Sequence, residues 1–100
     1  MDNSTVLEPI LRLLHEHLPV LREEFWVSSL RVFGSYVRSE QTTSSDVDIL
    51  VNYEELPGLF KFIELELHLS ELLGRKVDLV LEDSLKPKIG ERILAEAVPV

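Results

Sequence analysis

Asp46 and Asp48 stand one residue apart at the head of the apolar run Ile49-Leu50-Val51. On a strand, that spacing points both carboxylates to the same face. Two like charges side by side repel, and a divalent cation between them removes the repulsion. Ten residues upstream, Gly34-Ser35 closes another apolar segment, Ser28 to Phe33. A Gly-Ser turn opening into a helix offers backbone N–H groups and a hydroxyl, which suit a phosphate. A third carboxylate, Asp78, interrupts the otherwise apolar run Val77 to Leu81. Cation ligands on one side and phosphate donors on the other describe nucleotide chemistry. Read singly, Asp46 and Asp48 are ordinary turn aspartates, Asp78 an edge charge facing water and Gly34 a simple turn residue. Together they ask for a common site.

The elements that must position these residues follow from periodicity. Val6, Leu7, Ile10, Leu11, Leu14 and Leu18 recur at helical steps. Thr5 with Glu8 fits a capping box, and Pro19 predicts a break after Leu18. Ser28 to Phe33 and Val47 to Val51 read as strands. Ser35 to Arg38 reads as a short helical turn, and the polar stretch Ser39 to Ser45 as a loop. Leu59 to Leu73 alternates like a strand but is long and rich in Leu and Glu, and Gly74 follows as a C-terminal cap would. A helix is expected there. Lys76 to Leu81 is a third strand. Ser84 is placed to cap a last helix, Lys86 to Ala97, which Pro99 stops.

The expected fold is therefore α/β (α+β), a small mixed three-stranded sheet flanked by helices in the order αβαβαβα. If Gly34 and the Asp46/Asp48 pair share a site, the first two strands run antiparallel. A right-handed crossover through 59–73 then makes the second and third strands parallel neighbours and brings Asp78 beside Asp48.

Composition limits the partners. The 100 residues suit one domain, 1–100, with one core. A net charge of −8 argues against broad neutralisation of nucleic-acid phosphates. The absence of cysteine excludes disulfides and thiolate metal sites. Neither an N-terminal signal peptide nor a membrane span is expected, which makes the cytoplasm the default location. His15, His17 and His68 read as surface or boundary residues, and Trp26 and Phe33 as core or boundary aromatics. Tyr36 reads as local packing, and Lys86, Lys88 and Arg92 as a solvated basic face.

The set Gly34-Ser35, ten residues, Asp46-Val47-Asp48 and then Asp78 resembles the signature of the DNA polymerase β-type nucleotidyltransferase superfamily. The surrounding text is similar too: Val32-Phe33 before the turn, Ile49-Leu50-Val51 after the aspartates, Leu73-Gly74-Arg75-Lys76-Val77-Asp78-Leu79-Val80, and the tail from Leu85-Lys86-Pro87 through Glu91 to Val98. Many relatives carry arginine after the serine and glycine four residues after it. Here those places hold Tyr36 and Ser39, while Arg38 keeps its expected position. At this size the chain resembles the minimal nucleotidyltransferase (MNT) antitoxins of HEPN/MNT toxin–antitoxin pairs.

The resemblance implies transfer of AMP from ATP to a tyrosine hydroxyl of a HEPN-type ribonuclease toxin, with which the chain would form a hetero-oligomer. It implies Asp46, Asp48 and Asp78 as catalytic residues and ligands to Mg²⁺, and Gly34, Ser35 and Arg38 as the nucleotide-binding residues. Arg38 stays open between a phosphate ligand and a solvated arginine. Two other readings compete: an antitoxin that neutralises by contact alone, and a transferase subunit acting on a small molecule. No membrane and no direct nucleic-acid contact are expected.

Overall fold

The computed structural model describes residues 4–100. Helix α1 spans Ser4–Phe25, strand β1 Val27–Phe33, the one-turn helix α2 Ser35–Arg38 and strand β2 Val47–Tyr53. Helix α3 covers Leu59–Leu73 and strand β3 Val77–Leu81. A 3₁₀ turn at Glu82–Ser84, helix α4 at Pro87–Glu96 and a two-residue strand β4, Val98–Pro99, complete the chain. The sheet has four strands in the order β3-β2-β1-β4, not three. β1 is antiparallel to β2 and to β4, and β2 is parallel to β3. The expected directions of the first three strands hold.

Alternation builds the core. Val47, Ile49 and Val51 of β2 are fully buried, and Leu65 and Leu69 of α3 and Leu14 and Leu21 of α1 pack in the same cluster. β3 lies at a sheet edge, yet two of its amides are taken by α3. Val77 N–H donates to Ser70 Oγ (3.0 Å) and Leu79 N–H to Glu66 Oε2 (2.9 Å). These bonds fasten α3 to the edge and deny it to another strand.

Helix α1 does not break at Pro19. It runs on to Phe25, with Pro9 and Pro19 inside it. Leu14, Leu18, Leu21 and Phe25 form an unbroken buried stripe across Pro19, and that packing outweighs the cost of an internal proline, about 3 kcal/mol. The Thr5–Glu8 capping box lies outside the described residues, because the Thr5 side chain is not described. Gly74 is the C-cap of α3 in the left-handed conformation, φ 64°, as its position predicts. Ser84 does not cap α4: its hydroxyl donates to the Leu81 carbonyl (2.7 Å) within the 3₁₀ turn, and Lys86 stands at the N-cap. β4 is the added strand. Proline at a sheet edge has no ladder bond to lose, so Pro99 both ends α4's run and pairs with Arg31.

Candidate active site

The parallel and antiparallel registers meet at one row. Phe33 of β1 lies opposite Asp48, and Asp48 lies opposite Asp78. Gly34 follows Phe33 directly, so the Gly-Ser turn, Asp48 and Asp78 occupy neighbouring strands at the same end of the sheet. Gly34 adopts φ 81°, ψ −151°, a region open essentially to glycine alone. It also abuts Asp48: a Cβ on Gly34 would overlap the Asp48 carboxylate. Two independent constraints therefore require glycine at position 34.

The electrostatics of the row are strained. Burial pushes Asp48 up to a pKa of about 6, and the charges of Asp78 and Asp46 add to that shift. Asp78 faces Asp48 across the strand pair, so its carboxyl is the nearest partner in that rise. Asp46 stands just before β2, with Oδ2 3.9 Å from Lys76 Nζ. Asp48 and Asp78 thus pair, while among the described residues the carboxylates do not converge into a cluster of three around a single point. The donor set fits a hard divalent cation. It is all oxygen and all acidic, and one member is so crowded by like charge that a cation would relieve it.

Arg38 is not solvated alone. Its Nε bonds Glu40 Oε2 (2.9 Å) and its Nη1 bonds Glu96 Oε1 (2.7 Å). The second oxygen of Glu96 accepts the Gly34 N–H at 2.8 Å. Burial tends to raise the Glu96 pKa, but the hydrogen bonds from Arg38 and Gly34 and the Arg38 charge prevail, and it lies below its usual value. Glu96 is the site residue that sequence reasoning missed. It sits 62 positions from Gly34, so no local spacing signals it. The observable hint is an acid at the end of an amphipathic helix, which alone says nothing.

Around the row, Tyr36, Ser44, Ser45, Asp46, Arg75 and Lys76 line one open groove, and Arg38, Ile89, Arg92, Ile93 and Glu96 line another. Tyr36 is buried, accepts a hydrogen bond from Arg75 Nη1 (3.2 Å) and serves local packing as expected. Lys86, Lys88 and Arg92 are exposed. Trp26 is more exposed than a core or boundary aromatic, at 42 %, with the Lys61 ammonium 5.4 Å from its ring centre. His15 is exposed, and His17 and His68 are half-buried.

The profile of the nucleotidyltransferase domain family matches residues 14–100. The chain belongs to that family. Among nucleotidyltransferase relatives, the protein adenylyltransferase MntA of Thermococcus cleftensis is 54% identical over 94 residues, covering 94% of this chain and 95% of that protein. A candidate protein adenylyltransferase of Methanocaldococcus jannaschii is 49% identical over 95 residues, covering 94% and 97%. A solved candidate minimal nucleotidyltransferase superposes with a TM-score of 0.77 at 39% identity, covering 100% of this chain and 97% of the other. An MNT antitoxin in complex with a tri-AMPylated HEPN toxin of Shewanella oneidensis gives a TM-score of 0.60 at 22% identity, covering 97% and 70%; that likeness is one of fold. No helix among the described residues is long and apolar enough to cross a membrane.

Proposed function

We propose that this nucleotidyltransferase is a Mg²⁺-dependent protein adenylyltransferase. It moves AMP from ATP to a tyrosine hydroxyl of a HEPN-type ribonuclease toxin in the cytoplasm and so acts as the antitoxin. The observation that carries this reading is the single register row that sets the Gly34 turn, Asp48 and Asp78 side by side. The identity of 54% with a protein adenylyltransferase over nearly all of both chains supports the choice of acceptor class.

Asp46, Asp48 and Asp78 would hold Mg²⁺, which supplies charge neutralisation at the phosphates and a more acidic acceptor hydroxyl. Gly34, Ser35 and Arg38 grip the leaving end of the triphosphate, with Arg38 released in part from Glu96 and Glu40. Asp78, on the outer strand, takes the proton of the acceptor hydroxyl. The acceptor oxygen bonds to the α-phosphorus, the bond to the bridging oxygen breaks, and pyrophosphate leaves in line.

The test is to incubate the protein with labelled ATP, Mg²⁺ and its HEPN partner. Label is expected on the partner, and Asp46→Asn with Asp48→Asn should reduce transfer on the order of a hundredfold or more while the fold stays intact. Full neutralisation of the toxin by that double variant would instead mean that binding alone silences it.

A further inference from the structure

The outward face of α3 is apolar. Leu59, Phe60, Ile63 and Leu67 recur on successive turns and are 69 %, 82 %, 41 % and 59 % exposed. Leu56, 69 % exposed, extends the strip. Beside it lies a hollow of about 250 Å³ lined by Tyr53, Leu56, Pro57, Leu59, Phe62 and Leu81, roomy enough for a leucine or phenylalanine side chain. A contiguous apolar strip of this kind on a small domain marks an interaction site. Its rim is acidic. Glu54 and Glu55 precede Leu56, and Glu64 and Glu71 border the strip along one flank; all four are exposed. The lysine of α3 does not offset them, because Lys61 Nζ lies over the rings of Phe25 and Trp26, 5.2 and 5.4 Å from their centres.

A second copy is a poor occupant. In a two-fold antiparallel helix pair like flanks face each other, which would set Glu64 and Glu71 against the same residues of the copy. We propose that this strip docks an amphipathic helix of the acceptor protein, whose apolar side chains are flanked by lysine or arginine. The identity of that protein as the HEPN toxin rests on the proposed function. The hollow lies at the Tyr53 end of β2, and Asp48 at the other end, roughly 17 Å away along the strand. Docking and chemistry therefore use separate surfaces of one small domain. The strip holds the acceptor protein while the carboxylate row works on its hydroxyl.

Two variants test this with the full chain and the HEPN toxin as probe, Phe60→Ser with Leu67→Ser, and Glu64→Lys with Glu71→Lys. All four residues are exposed, so the fold is spared, which circular dichroism and ATP binding check. The serine variant is expected to weaken the complex at least tenfold by calorimetry. It should raise the toxin concentration for half-maximal AMP transfer by the same factor and leave the rate at saturating toxin unchanged. The lysine variant is expected to weaken it as well and to lose the salt sensitivity of the wild-type complex. Unchanged affinity in both variants overturns the proposal, as does a wild-type homodimer that the serine variant dissociates. Transfer by the wild type with normal toxin binding by the variants sinks the docking surface alone. Tight binding through the strip without any transfer sinks the proposed activity alone.

Discussion

At the scale of single residues, the site is a place where folding works against electrostatics. The ordinary aspartate pKa is about 3.9, and Asp48 stands at about 6 because of burial and the charges of Asp78 and Asp46. A carboxyl whose pKa rises on folding binds more protons in the folded state than in the unfolded one. The contribution of Asp48 to stability is then most favourable below about pH 4, falls as pH rises towards 6, and stays lower above it. Asp48→Asn removes that deficit. In metal-free buffer at pH 7.5 the variant should be more stable than wild type by no more than about 1 kcal/mol, since Asp48 is only partly buried and solvent screens part of the repulsion. The difference should vanish near pH 4. Added Mg²⁺ should raise the melting temperature of the wild type and leave the variant nearly unmoved. Thermal melts across pH, with and without Mg²⁺, check all three points. Gly34, Asp46, Asp48 and Asp78 stand out as candidates in the sequence because a Gly-Ser step, a two-residue spacing and a lone acid in an apolar strand are local signals. Glu96 does not, because its partners Gly34 and Arg38 come to it only through the fold.

At the scale of elements, most helices and strands announce themselves by period, and the exceptions are set by tertiary packing. The Leu59–Leu73 run alternates like a strand yet folds as a helix, because Leu65 and Leu69 reach the core while Gly74 caps its end. Pro19 signals a helix end that Leu14, Leu18, Leu21 and Phe25 override from the buried side. Pro19 and His15 are both exposed, so the carbonyl that the proline leaves unpaired lies on the solvated side. Pro19→Ala should restore that bond and stabilise the protein by about 1–3 kcal/mol, raising the melting temperature by roughly 4–8 °C per kcal/mol, with transfer activity unchanged. β4 could not be read from Val98-Pro99, because two residues carry no period and an edge position is a property of the sheet.

At the scale of the whole molecule, three neighbouring strands bring one end of the sheet to a carboxylate row, and Glu96 at the end of α4 closes it by holding Gly34 and Arg38. The same fold leaves an acid-rimmed apolar strip on α3 at a distance from that row. On the proposed reading, the carboxylate row is the donor site and the strip receives a large acceptor, and a built acceptor pocket is not needed if the acceptor is itself a protein. The most direct measurement is the intact mass of the HEPN partner, followed by peptide mapping, after incubation with ATP and Mg²⁺ and either the wild type or Asp78→Asn. The account predicts a mass gain of one or more AMP units on a tyrosine with the wild type and none with the variant. A toxin that is silenced with no gain in mass, or that gains AMP equally from both proteins, would contradict it.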